Sequence, residues 1–199
     1  MKIYDISQEL LSCCVFDGDP SPELKCLSSI ERGDICNVST LSMCLHNGTH
    51  VDAPLHFIHG GDSVKELKLE QTVGYAYVAQ HNGMLLEDDA KAIVKKAKSI
   101  MPESGKRILL KGKATVTAEG AEVFAGEGTC LVGNESQSVG SEDAPLEVHK
   151  ILLGAKVVLL EGIRLEHVPE GVYLLCCAPL CISGGDGAPC RAILIDIDN

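Results

Sequence analysis

Residues 46–57 read HNGTHVDAPLHF, and no other stretch restricts the fold of this chain as tightly. Three of the seven histidines, at positions 46, 50 and 56, fall here together with Asp52. On a helix or in a loop, the imidazoles at 46 and 50 can converge, and Asp52 adds a carboxylate two residues on. His46 and His50 are spaced as they would be on one face of a helix. Gly48 between them and Pro54 just after oppose a long helix, so the pattern predicts a tight loop following a strand. Gly48 permits close backbone approach and Pro54 stiffens the loop. Two histidines and a carboxylate form a set suited to zinc or a similar divalent ion, with positions left open for water and substrate. The alternative from spacing alone is a group of hydrogen-bonded polar core residues.

The rest of the chain narrows the class of protein. With 199 residues, 45% of them hydrophobic, one domain spanning 1–199 with a substantial core is expected. Seventeen basic residues against twenty-eight acidic give a net charge of −11, which leaves no basic field to hold phosphates. Nucleic acid and anionic membrane surfaces are therefore excluded as partners. The first residues, MKIYDISQEL, lack an apolar leader, and no apolar run reaches transmembrane length, so a cytoplasmic location is expected. Ten cysteines are present without a C-x-x-C pair. They are expected to be reduced, mostly buried and chemically quiet, for want of basic neighbours around Cys13–Cys14 or Cys176–Cys177.

Several elements are legible from pattern. KIYDIS reads as a first strand, and DICNVSTLSMCL, residues 34–45, as a loosely alternating strand that delivers the chain to His46. VGYAYVAQ is another strand. EDDAKAIVKKAKSI, residues 87–100, is the clearest helix, with Ala90, Ile93, Val94, Ala97 and Ile100 on one face, acids at its start and lysines in its later turns. RILLKG and CLVGN read as short buried strands with a helix around AEGAEVFAG between them. APLEVHKILLGA reads as a helix with Pro145 early in it. KVVLLEGI, GVYLLCCAPLCI and RAILIDID are apolar strand-type runs. A β-rich first half and an alternating second half predict an α/β fold whose mixed sheet is partly covered by helices.

Two residues outside the motif stand out less sharply. Glu161 closes the apolar run VVLL, where an unpaired carboxylate would be costly. A metal would relieve that cost, and so would a salt bridge to Arg164 or Arg191. His149, read from the residues alone, is a helix histidine facing solvent or core. His59, His81 and His167 read as ordinary loop histidines.

The motif resembles H-x-G-T-H-x-D-x-P-x-H-F, the signature of the cyclase family of metal-dependent hydrolases, which includes bacterial kynurenine formamidases and isatin hydrolase. Its fixed positions are met by His46, Gly48, Thr49, His50, Asp52, Pro54, His56 and Phe57. YDISQEL, GDICNVS, VHKILL with VVLLEGI, and GGDGAPCRAIL resemble further family segments in family order. The resemblance implies a swivelling β/β/α fold and a metal site of one or two ions held by His46, His50 and Asp52, with His149 and Glu161 completing it. It implies zinc, with manganese as the alternative, and Asp52 bridging when two ions are present. His56 resembles the family residue that moves protons instead of binding metal. The implied activity is hydrolysis of a small amide, an N-formyl arylamine of the N-formylkynurenine type in tryptophan catabolism, by metal-activated water. Alternatives are hydrolysis of a cyclic amide or lactone, polyketide-type cyclisation, and a non-catalytic metal-binding module. The implied partners are a small-molecule substrate and copies of the same chain, as a homodimer or homotetramer.

This sequence departs from the family in places. VFDGDP puts Asp17 where the family has a proline, next to Phe16, the candidate substrate-binding aromatic. There is no tryptophan, and three Phe and four Tyr are few for holding an aryl substrate. GNESQSVG offers Glu135, then Ser138, where the family often has an aspartate.

Overall fold

The computed structural model describes residues 1–141 and 146–196. Pro145 and the last residues of RAILIDID lie outside that range. The strands are β1 (Lys2–Asp5), β2 (Glu23–Ser28), β3 (Val38–Ser42), β4 (His50–Asp52), β5 (Val73–Gln80), β6 (Gly83–Leu85), β7 (Arg107–Lys111), β8 (Ala114–Val116), β9 (Leu131–Asn134), β10 (Val158–Glu161), β11 (Gly171–Cys176), β12 (Gly187–Pro189) and β13 (Ile193–Asp196). The helices are α1 (Leu69–Thr72), α2 (Glu87–Ile100), α3 (Ala118–Gly126) and α4 (Leu146–Gly154).

Nine strands form one mixed sheet in the order β1-β13-β11-β5-β7-β9-β10-β4-β12. Its middle, β5-β7-β9-β10, is parallel, and the strands on either side run antiparallel. Parallel neighbours need a crossover, and α2, α3 and α4 supply the three crossovers between these four strands. This is the alternation expected for the second half of the chain.

The parallel strands are apolar on both faces because both faces are covered. On one face Tyr77, Ala79, Ile108, Leu110 and Leu159 pack with Ala90, Val94, Phe124 and Leu152 of the helices. On the other, Ala76, Val78, Leu109, Val158 and Leu160 join Val51, Leu175 and Leu194 from the flanking strands. The sheet curls around this second face. Ile6, just past β1, donates its N–H to Ala192 O and accepts from Arg164 N, tying the first edge to the segment that leaves β10. Burying a side chain such as Leu109 or Phe124 stabilises the fold by about 1.5–3 kcal/mol.

Helix α2 matches the expected range, with Glu87, Asp88 and Asp89 in its first turn. Asp89 accepts from Leu86 N at 3.1 Å, satisfying one of the unpaired donors of the first turn. Ala90, Val94 and Ala97 are buried and Ile93 packs at the rim. Ile100, expected on the same face, is exposed, because the helix ends there before its side chain reaches the core.

Two features depart from the sequence reading. The strand ahead of the motif exists as β3, but it pairs with β2 in a separate two-stranded ribbon outside the large sheet. Leu24, Leu27, Val38 and Leu41 on this ribbon are all exposed. The cysteines are free, but only Cys177 is buried, while Cys14, Cys26, Cys36 and Cys181 are exposed. Apolar neighbours in sequence do not bury a thiol when the segment lies on the ribbon or a loop. Nor does Cys14 lack a basic neighbour, since Arg164 Nη2 lies 3.2 Å from its sulfur, brought there by the fold.

Candidate metal centre

Strand β4 lies between β10 and β12, and its pairing with β10 sets His50 directly opposite Glu161. Successive residues of a strand point to opposite faces. Val51 therefore enters the core at 0% exposure, while His50 and Asp52 share the other face. The expected tight loop is confined to residues 46–49, with the metal-type residues 50 and 52 on a strand. Gly48 carries the turn with φ of 63°, and a Cβ there would lie 2.9 Å from Cys13 Cβ. Thr49 Oγ1 donates to Gly162 O at 2.8 Å, pinning the turn to the end of β10. Pro54 opens a short 3-10 turn over Pro54–His56, which brings His56 back over His46. Their rings stack with centroids 4.0 Å apart.

The six residues of interest converge. His46 Nδ1 lies 2.8 Å and His50 Nε2 3.3 Å from Asp52 Oδ1. His50 Nε2 is also 3.6 Å from Glu161 Oε2. From α4, His149 Nε2 reaches to 3.3 Å from Glu161 Oε1 and 3.8 Å from Asp52 Oδ2. His50, Asp52, His149 and Glu161 are buried, at no more than 3% exposure. Donor atoms of His46, His50 and Asp52 lie within 4.8 Å of one another, as do those of Asp52, His149 and Glu161. Asp52 belongs to both groups. Glu161 is held from behind by Val139 N, which donates to Oε1 at 2.7 Å.

Neither arginine considered for Glu161 is its partner. Arg164 donates to backbone oxygens of Glu135 and Ile163, and Arg191 pairs with Asp5. Glu135 does not enter the cluster either. Its carboxylate accepts from Gly112 N at 2.6 Å and Leu165 N at 2.8 Å, bracing two loops.

The carboxylates of the cluster need positive charge beside them, from protons on its imidazoles or from a cation. Burial alone would strip the proton from His50, but Asp52 and then Glu161 outweigh it and push its pKa up to about 10. Burial acts likewise on His46, and the Asp52 carboxylate again reverses it, leaving its pKa raised. Against the same burial, His46 and His50 hold Asp52 well below the usual carboxylate range. Both nitrogens of His46 face carboxylates, Asp52 at 2.8 Å and Asp186 at 2.9 Å. A neutral imidazole has one N–H, so one of these contacts needs an extra proton or a metal ion. Asp52 Oδ2 is buried with no hydrogen-bond partner. An imidazole and carboxylate set with an orphaned buried oxygen fits a divalent cation.

Above the cluster is a cavity of about 370 Å³ lined in part by Phe16, Cys44, Phe57, Gln137, Ser138 and Asp186. Phe16, the candidate substrate aromatic, sits at this cavity and is 38% exposed. Phe57 lies against His149, ring centroids 4.5 Å apart. Burial lowers the pKa of His56, which favours its neutral form more than at His46 and His50. His59 and His167 are exposed in turns, and His81 bonds to Met84 O.

Sequence reasoning missed Asp186 and the glutamines. Asp186 Oδ2 lies 2.9 Å from His46 Nε2 and 3.4 Å from His56 Nδ1. Its one local signal was an acid among glycines in GGDGAPC. Gln8 Nε2 donates to Gln137 Oε1 and Gly162 O, and Gln137 Nε2 donates to Gly48 O at 3.1 Å. These two amides tie the motif turn to the exit of β10, and nothing in their sequence surroundings marks them.

A family model described as a putative cyclase matches residues 4–140. A kynurenine formamidase of Salinibacter ruber is 35% identical, over 98% of this chain and 98% of its own length. A solved structure described as a potential metal-dependent hydrolase with cyclase activity superposes with a TM-score of 0.81 at 27% identity, covering 100% of this chain and 99% of that one. An isatin hydrolase bound to the product analogue thioisatinate shares the fold, with a TM-score of 0.83 at 18% identity over 97% of this chain and 91% of its own.

Proposed function

This chain belongs to the cyclase family, and from that footing we propose that it is a metal-dependent amidohydrolase cleaving a small N-formyl arylamine of the N-formylkynurenine type. The observation that carries this reading is the buried Asp52, flanked by one ligand group on each side. His46, His50 and Asp52 would hold one divalent ion, and Asp52, His149 and Glu161 a second. Zinc suits the imidazole-rich set best, with manganese as the alternative where oxygen donors dominate. An ion bound there supplies Lewis-acid polarisation of the amide carbonyl and an acidified water that attacks at neutral pH.

The chain's own groups do the rest. Val139 N fixes one Glu161 oxygen, so that carboxylate keeps its aim while the other oxygen faces His50. His56, neutral and at the cavity edge, takes a proton during attack and returns it to the departing nitrogen, since an anilide leaves poorly without one. A formyl group has only hydrogen on its acyl carbon, so it fits close to the buried cluster within a 370 Å³ cavity, and the exposed Phe16 lines that cavity where an aryl ring would lie. The same groups would open a cyclic amide, which makes isatin the informative second substrate.

The assay is elemental analysis of the purified protein with a hydrolysis panel of N-formylkynurenine, formanilides, isatin and small lactones. Zinc or manganese with fastest turnover of a formyl arylamide is expected. Bound metal without hydrolysis of any of them would leave the non-catalytic module instead.

We also infer a homodimer or homotetramer. The exposed leucines of the β2–β3 ribbon form apolar surface of the kind that subunit contacts cover, and a two-stranded ribbon is marginal in water by itself.

A further inference from the structure

Asp186 sits in the loop before β12, where its backbone oxygen accepts Ala53 N at 2.9 Å. Gly187 beside it is paired with Asp52, and a Cβ at Gly187 would lie 2.7 Å from His46 Cε1. The loop is therefore fitted to the His46 ring at backbone level. One carboxylate oxygen of Asp186 meets two histidines with different tasks, His46 Nε2 at 2.9 Å and His56 Nδ1 at 3.4 Å. The two rings lie nearly parallel, 24° apart.

We propose that Asp186 is a positioning residue for both halves of the site, orienting His46 for metal and His56 for proton transfer through a single oxygen. This rests on the hydrolase reading above. An imidazole that donates from one nitrogen presents its lone pair from the other. Donation of His46 Nε2–H to Asp186 leaves Nδ1 as the lone-pair nitrogen, and Nδ1 is the atom facing Asp52. Carboxylate partners of this kind fix ligand tautomers and raise ligand basicity. Asp186 Oδ2, 3.4 Å from His56 Nδ1, favours the proton on that nitrogen through its charge, which leaves Nε2 able to accept a proton, so His56 begins the cycle as a base and ends it as an acid. No bond to Asp186 forms or breaks, and its charge offsets the positive charge that His56 acquires in between.

The test uses Asp186→Asn, which keeps the size and the backbone bond, in parallel with His56→Ala and the double variant. Zinc affinity is read by competition with a chromophoric chelator on metal-stripped protein. Asp186→Asn weakens zinc binding about 10- to 100-fold, while His56→Ala leaves it within about twofold. In zinc-saturated enzyme, Asp186→Asn lowers kcat on a formyl arylamide at least about tenfold with KM little changed. The double variant is then no slower than His56→Ala alone, since coupled residues are non-additive. A structural role alone would not produce that non-additivity. Unchanged zinc affinity, or kcat losses that simply multiply, overturns the proposal. Should wild type hydrolyse no formyl arylamide, the hydrolase reading falls, and the zinc titration by itself still decides the His46 half. Asp186→Ser carries the same predictions if Asp186→Asn does not fold.

Discussion

The β2–β3 ribbon and strand β4 are separated by seven residues of chain, yet they break the usual rule of burial in opposite directions. On the ribbon, three leucines and Val38 stand in solvent. On β4 and its neighbours, two carboxylates and two imidazoles are buried almost completely. Both arrangements cost free energy, since apolar side chains stand in water on the ribbon and the paired groups of the cluster are desolvated. The buried region offers imidazoles and carboxylates suited to a divalent cation, and the ribbon offers the apolar surface on which the proposed self-association rests. The comparison teaches that adjacent segments can depart from the usual burial in opposite senses when one of them is kept out of the main sheet.

The sharpest way to break this contrast is to remove the charge at its buried end. At zinc a thousandfold above its dissociation constant, wild type should gain about 4 kcal/mol, or roughly 8–16 °C in melting temperature. Asp52→Asn should gain nothing, and equal zinc-dependent shifts in the two proteins would refute the assignment. His56→Ala separates chemistry from binding: kcat should fall about 10²- to 10⁴-fold while the zinc-dependent melting shift persists. Loss of both together would make His56 a ligand. The ribbon is probed by Leu24→Asp with Leu41→Asp, which should lower the mass seen by light scattering to that of one chain and leave zinc binding intact. A monomeric wild type would end the analogy between the two regions. The smallest effect is expected at the turn joining them. Gly48→Ala should cost about 1–2 kcal/mol for its left-handed backbone, with further crowding against Cys13, measured by denaturant unfolding.

Much of the frame was legible. Helix α2 announces itself through fourteen amphipathic residues with acids first, and β5, β7, β9, β10 and β11 through apolar runs. Strand β4 was hidden because His-Val-Asp is too short for alternation to register, and Gly48 and Pro54 on either side advertise a loop. What makes it a strand is pairing with β10 and β12, more than a hundred residues away. His149 and Glu161 were placed only by resemblance, since nothing local separates a ligand from a core histidine or a paired acid. Asp186 could not be placed at all, because its partner His46 is 140 residues distant and the pair exists only once β4 and β12 lie side by side. The cysteines failed for the converse reason. Cys177 and Cys181 share one apolar run, yet only the first is buried, so the fold decides which part of the run is enclosed.

Glu161 faces His50 across a hydrogen-bonded ladder, and Val51 between His50 and Asp52 fills the core. Because side chains alternate, a slip of β4 by a single position would drive Val51 into the polar cage and turn His50 and Asp52 toward apolar packing. Reading frame and chemistry are thus locked to each other. An ion captured by this cage would proofread strand alignment, so that molecules misaligned at β4 would be distinguished by their failure to retain metal.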